Sequence, residues 1–208
     1  MGYVIAIGGG SGSGKSLLCQ ALIHEFQNEA MAFPFDAYNK DQSRLSPKER
    51  DALNYDIPDA YDGDLYLRDL QKLKAGQDVA LPIFDYASHT RSAKTLPLKS
   101  APLIFTEGFL VLAIPDSRRY FDFTIYVDAD SDVRLARRIL RDGKERSYGP
   151  EQVIHQYLAS VKPMHQKYIE PCKSRADFVF SNNGEKGLDP AELQKLVEII
   201  RQNISQRK

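Results

Sequence analysis

Between Gly9 and Ser16 the chain reads Gly-Gly-Ser-Gly-Ser-Gly-Lys-Ser, which matches G-x-x-x-x-G-K-[ST] at every fixed position. Each residue type has a task in holding a triphosphate. Gly9, Gly10, Gly12 and Gly14, interleaved with Ser11 and Ser13, let the backbone curl so that successive N–H groups point at phosphate oxygens. Lys15 reaches the β- and γ-phosphates, and the Ser16 hydroxyl is placed to ligate Mg²⁺. The cradle runs from Gly9 to Leu17, where a helix N-terminus adds its partial positive charge.

Two neighbouring chemistries fail on spacing. A dinucleotide-binding loop G-x-G-x-x-G starting at Gly8 needs glycine at Ser13, and one starting at Gly10 needs it at Lys15. Guanine-reading N-K-x-D is suggested by Asn39-Lys40-Asp41 but broken by Gln42, and no D-x-x-G occurs in the chain.

Other charged residues complete the chemistry of phosphoryl transfer. Glu107 follows the apolar run Pro102–Thr106, where a carboxylate beside the phosphate loop holds Mg²⁺ directly or through water. Asp36 closes the run Met31–Phe35 and faces the same end of the sheet, where it can orient an attacking hydroxyl. Arg134, Arg137, Arg138, Arg141, Lys144 and Arg146 crowd one short helix and its exit. Such a basic segment can close as a lid that stabilises the transferring phosphoryl group, with Gly143 and Gly149 supplying flexibility.

These residues need a frame that brings strand ends together. Apolar runs at Tyr3–Ile7, Met31–Phe35, Pro102–Thr106, Phe123–Val127 and Asp177–Ser181 are continuous rather than alternating, as strands covered on both faces are. Pro34 assigns the second to a sheet edge or strand end. Helices are expected at Ser16–Gln27, at Gly63–Ala75 with Gly76 as its stop, and at Asp132–Arg141. A last helix opens with Asp189 as N-cap, Pro190 at its first position and Glu192 completing a capping box. Strands alternating with helices give an α/β domain with right-handed crossovers. The stretch 36–99 is too long for one crossover; it holds two helical pieces and a hairpin, Val79–Phe84 with Lys94–Leu98.

The 208 residues suit one domain, 1–208. Lys plus Arg total 28, as do Asp plus Glu, a balance that argues against a protein built on nucleic-acid binding. The two cysteines, Cys19 and Cys172, have no metal-ligand spacing. No apolar run reaches the roughly 18 residues of a membrane span, and no targeting segment is recognisable at Met1, so the expectation is a cytoplasmic protein without membrane partners.

Beyond the phosphate loop, an ordered set of motifs carries a resemblance. It comprises Asp36, Lys40-Asp41-Gln42-Ser43, Asn54-Tyr55-Asp56 with Pro58, Ser88-His89-Thr90-Arg91, Glu107-Gly108, Arg137-Arg138-Ile139-Leu140-Arg141-Asp142, Glu145-Arg146, Lys162-Pro163 and Glu170-Pro171. Together they are similar to the uridine–cytidine kinases of the phosphoribulokinase/uridine kinase group, over nearly the whole chain. The resemblance implies a P-loop NTPase-type α/β fold, with a parallel five-stranded sheet in order 2-3-1-4-5 and helices on both faces. It also implies an inserted nucleoside-binding region at 36–99 and an arginine lid at 131–150. Asp36 would orient or deprotonate the nucleoside 5′-hydroxyl, with Lys15, Arg141 and Arg146 serving the phosphates. Asp56 and Arg138 would hold the ribose, His89 the base edge, and Phe84, Tyr86, Arg146 and Gln156 would line the nucleoside; Ser16 and Glu107 would hold Mg²⁺.

The implied reaction passes the γ-phosphate of ATP or GTP to uridine or cytidine, giving UMP or CMP for pyrimidine salvage, in a homotetramer or dimer. Departures from the family cluster on the acceptor side: Asn39 and Phe84 stand where it has Tyr, Ile57 where it has His, Ser147-Tyr148 where it has Gly-Arg, and Asn183-Gly184 near its Arg-Gly. They leave open a different nucleoside or a sugar- or vitamin-like alcohol as acceptor. A nucleotide-binding module without catalysis is the remaining alternative, and Asp36 and Glu107 count against it.

Overall fold

A computed structural model describes residues 1–86, 88–145, 147–184 and 187–207. Strand β1 (Tyr3–Gly9) leads into helix α1 (Lys15–Phe26), and β2 (Ala30–Pro34) ends in a 3₁₀ turn, Phe35–Tyr38. Next come α2 (Pro47–Asp51), α3 (Gly63–Lys74), and strands β3 (Val79–Asp85) and β4 (Thr90–Leu98), followed by β5 (Leu103–Glu107) and β6 (Phe123–Asp128). Helix α4 (Ser131–Glu145) precedes a long helical passage made of α5 (Pro150–Gln156), α6 (Lys162–Met164) and α7 (Glu170–Lys173), joined by π-helical turns at Tyr157–Val161 and His165–Ile169. Strand β7 (Phe178–Ser181) and helix α8 (Pro190–Ser205) complete the chain.

Five strands form one sheet in the order β2-β5-β1-β6-β7, every pair parallel. Numbered among themselves, these strands run 2-3-1-4-5, the order expected above, and Pro34 does lie on an edge strand. Because β1 is central and buried on both faces, its side chains feed two cores. Val4 and Ala6 join Phe33, Tyr66 and Leu110 on one face; Ile5 and Ile7 join Leu18, Leu22, Leu196 and Ile200 on the other. Cys19 and Cys172 are buried free thiols. Among the described residues no helix is long and apolar enough to cross a membrane.

The element ends differ from the sequence expectations in ways that matter for the site. The second strand stops at Pro34, so Asp36 sits in the 3₁₀ turn beyond it. The hairpin is longer than expected, which leaves Ser88 and His89 in its turn and puts Thr90 and Arg91 into β4. Helix α4 runs on through Gly143, which is therefore helical and not a hinge. In α8 the Asp189 carboxylate caps Ala191 and Glu192 N–H, but Glu192 accepts from Ser181 N–H at 3.2 Å and closes no reciprocal box. That box forms instead on the short α2, between Ser46 and Glu49.

Candidate active site

The phosphate loop joins the central strand to α1, with Gly12 and Gly14 at φ +80° and +98°. Only glycine adopts these values freely, and a methyl at Gly14 would collide with the Asn182 amide. The loop is braced from outside as well. Asn182 Nδ2 donates to Ser13 O at 2.7 Å, while Arg137 donates to Asn182 O at 2.9 Å and Gly184 O at 2.7 Å. Arg134 donates to Ala129 O at 2.9 Å. Arg134 and Arg137 are thus committed to backbone carbonyls, unlike the free lid residues expected from their charge. Leu17 is exposed on α1 beside Gly187, outside the curl of the loop.

At the floor of the loop Lys15 is buried and donates to Gly10 O at 3.0 Å. Burial pulls its ammonium below the ordinary lysine value, opposed by Glu107 and Asp36. Ser16 Oγ donates to Glu107 Oε1 at 3.2 Å. A hydroxyl and a carboxylate that converge in this way fit Mg²⁺, a hard ion taking a few protein oxygens and completing its shell with water and substrate phosphate.

Asp36 owes its place to the aromatic residues around it. Phe35 stacks on Tyr61 at 4.5 Å between ring centroids and meets Tyr66 edge-on. Tyr38 donates to Asp69 at 2.9 Å, and Tyr66 and Thr106 share a hydrogen bond of 2.9 Å. These contacts pin the 3₁₀ turn against α3 and β5. Gly108 completes the fit, since a methyl there would sit 2.9 Å from Asp36 Oδ1. Burial raises the Asp36 carboxyl to about 6, reinforced by Glu107 and opposed by Lys15, the Phe109 N–H and Tyr61. Tyr61 donates to Asp36 Oδ1 at 3.5 Å, and the Asn39 amide donates to Asp36 O at 2.8 Å.

A cavity of about 220 Å³ lies against both Asp36 and the phosphate loop. Its walls bring together Ser11, Lys15, Ser16, Asp36, Asp56, Phe84, Tyr86, His89, Glu107, Arg138, Arg141 and Gln156, residues the sequence nominated from seven separated segments. His89 stands in the hairpin turn at φ +53°, its ring stacked on Tyr55 at 4.3 Å and tilted against Phe84 at 6.4 Å. Tyr86 meets Phe84 edge-on at 5.2 Å. Asp56 accepts from Ser160 Oγ at 2.8 Å, and burial raises its carboxyl against the pull of Ser160 and Arg138. Arg138 donates to Ser11 Oγ at 3.0 Å and to Gln156 Oε1 at 2.7 Å, so it bridges the phosphate loop and α5. Arg146 lies outside the described residues.

Tyr61 and Ser160 also line the cavity, and residue-by-residue reading did not nominate them. Ser160 lies in the π-helical turn Tyr157–Val161, and such turns often mark functional positions, but no local sequence pattern announces one. Arg91, part of the Ser-His-Thr-Arg motif, turns away to staple the loop after Asp36. It donates to Asn39 O at 2.6 Å and Tyr38 O at 2.9 Å, and its own N–H reaches Asp41 Oδ1 at 2.9 Å.

Comparison with known proteins agrees with this geometry. The family described as Phosphoribulokinase / Uridine kinase matches residues 4–188. A uridine kinase of Brevibacillus brevis is 43% identical over 182 residues, covering 87% of this chain and 85% of its own length. One from Clostridium novyi is 39% identical over 206 residues, covering 99% and 98%. The D-glycerate 3-kinase structure from Cryptococcus neoformans superposes with a TM-score of 0.69 at 15% identity, covering 90% of this chain and 88% of that one, a likeness of fold.

Proposed function

The chain belongs to the Phosphoribulokinase / Uridine kinase family, and we propose that it transfers the γ-phosphoryl group of ATP to the 5′-hydroxyl of uridine or cytidine, giving UMP or CMP. One observation carries this reading: a phosphate loop and a nucleoside-sized, aromatic-walled cavity open onto each other, with Asp36 at their junction.

In the proposed reaction the loop N–H groups and Lys15 hold the donor's phosphates. Ser16 and Glu107 would hold Mg²⁺, which when bound neutralises charge on the β- and γ-phosphate oxygens. Asp56 and Arg138 fix the ribose hydroxyls, while His89, Phe84 and Tyr86 surround the base. The 5′-hydroxyl then points at Asp36, which accepts its hydrogen bond and aligns it on the γ-phosphorus. As the new O–P bond forms, the bond from the γ-phosphorus to the bridging oxygen breaks to release ADP, and the hydroxyl proton passes to the Asp36 carboxylate. The transition state is loose, so alignment contributes more than early proton removal. Arg141, with Arg146 across the segment 131–150, meets the charge on the transferring group as a lid, and 36–99 serves as the nucleoside-binding region.

A second reading keeps the chemistry and changes the acceptor. Phe84 brings a ring without a hydroxyl into the wall, and a site built around a polar contact discriminates strongly when that contact is lost. An ADP-release screen over uridine, cytidine, purine nucleosides and small alcohols, with ATP and GTP as donors, separates the two. Preference for a non-pyrimidine acceptor decides for the second. A cytoplasmic homotetramer or dimer completes the proposal, and light scattering that shows only monomer would remove that part.

A further inference from the structure

We infer that Asp142 is a positioning residue for phosphoryl transfer, a buried brace that sets the direction of the Arg138 and Arg141 guanidinium groups at the cleft. The inference rests on the functional reading above. It starts from a peculiarity of α4. The buried residues of this helix are Arg134, Arg138 and Asp142, spaced four apart on one stripe, while Leu140 on another face is 75% exposed. A helix that packs for stability turns its apolar side inward. This one turns in a charged side, against the phosphate loop.

The side chain of Asp142 is fully buried. Its Oδ2 lies 3.3 Å from Arg138 Nε, and its Oδ1 lies 2.8 Å from both Nε and Nη2 of Arg141. Adjacent helical residues do not face each other, so Arg141 reaches Asp142 only by folding its guanidinium back along the helix. The Asp142 carbonyl also accepts from Tyr148 N–H at 3.2 Å, tying down the chain that leaves the helix. A buried carboxylate beside two guanidinium groups is compensated by them; removing it takes a negative charge away from Arg138 and from Arg141, and the Arg141 charge already weighs on the Lys15 ammonium.

The carboxylate itself does not line the cleft, whereas both arginines do. Its influence on the reaction therefore passes through them. Arg138, ion-paired with Asp142 at 3.3 Å, continues to Ser11 and Gln156, so one carboxylate bears on a contact chain that touches both the donor loop and the acceptor wall. Arginine has a flexible stem, and a guanidinium that must meet developing charge is effective only when it is held in place beforehand.

A double-mutant cycle on the full chain tests the brace. Asp142→Asn keeps the side-chain shape and removes the charge. With saturating Mg-ATP its kcat for uridine should fall by about 10–100-fold, and KM for uridine should rise several-fold through Arg138. In an Arg141→Ala background the same substitution should cost less than about 3-fold in kcat, while the rise in KM persists. Costs in kcat that multiply would overturn the inference, because a merely structural carboxylate harms both backgrounds alike. Should Asp142→Asn not fold, Asp142→Glu keeps the charge and displaces it by one methylene; a folded Glu variant with wild-type kcat would also overturn it. Wild-type protein that phosphorylates no uridine at all would instead sink the functional reading first, and the brace with it.

Discussion

Asp36 should make the protein less stable in exchange for the chemistry it supports. Its carboxyl, ordinarily near 3.8, is raised to about 6 chiefly by burial. A folded-state value above the unfolded one means that the folded protein holds the proton more tightly. Stability is therefore lost as pH rises from about 4 to about 6, and the whole cost is present at neutral pH. At about 1.4 kcal/mol per pH unit the full cost is about 3 kcal/mol. The carboxylate is only part-buried, and solvent on its open side should reduce this to about 1.5 kcal/mol. Asp36→Asn removes the charge and keeps an oxygen for the Phe109 N–H. At about pH 7.5, without nucleotide or Mg²⁺, its melting temperature should rise by about 3–6 °C, from the sensitivity expected of a domain this size. Turnover should fall by about 10²–10⁴-fold in the same preparation. Thermal unfolding of both proteins from about pH 5 to about pH 8 is the assay, with the gap closing toward the acid end. A variant no more stable than wild type at neutral pH, or a gap that does not depend on pH, would refute the reasoning.

Three further outcomes follow from the same geometry. Glu107→Gln leaves Ser16 with a neutral partner, so the Mg²⁺ concentration for half-maximal rate should rise and kcat fall by about 10²-fold; an unchanged Mg²⁺ titration contradicts the assignment. His89→Ala removes the ring stacked on Tyr55, and steady-state kinetics should show KM for uridine rising about 10-fold or more with a smaller change in kcat. Asp122 lies far from the cleft, accepting from Val4 N–H and pairing with Lys74 and Arg207. Asp122→Ala should cost about 2–4 kcal/mol in denaturant unfolding yet leave kcat/KM unchanged while the protein is folded.

Much of the donor half of the site was legible because its chemistry is local. A phosphate cradle needs a fixed run of glycines between a strand and a helix, and that run is contiguous in sequence. The parallel sheet and the placement of Asp36 and Glu107 followed from continuous apolar runs with an acid at their ends, whereas the strand order came with the resemblance. Less of the acceptor half could be read that way. Asp56, His89, Arg138 and Gln156 come from segments that meet only after the hairpin and α5 fold over the sheet, so they were reached through the resemblance. Tyr61 and Ser160 escaped because their significance lies in a single neighbour each, Asp36 and Asp56. The basic face of α4 misled in part. Positive charge and helical spacing do not distinguish an arginine that greets a phosphate from one that caps backbone carbonyls, which is where Arg134 and Arg137 are spent.

The central claim is transfer of a phosphoryl group from ATP to one hydroxyl of a pyrimidine nucleoside. Phosphorus NMR of the full chain incubated with Mg²⁺, ATP and uridine tests it most directly, because it reports both the donor consumed and the position esterified. The expected result is ADP and uridine 5′-monophosphate in equal amounts, with no ester when uridine is omitted. ATP hydrolysis to free phosphate whether or not uridine is present, or an ester at the 2′ or 3′ position, would contradict the placement of Asp36 at the 5′-hydroxyl.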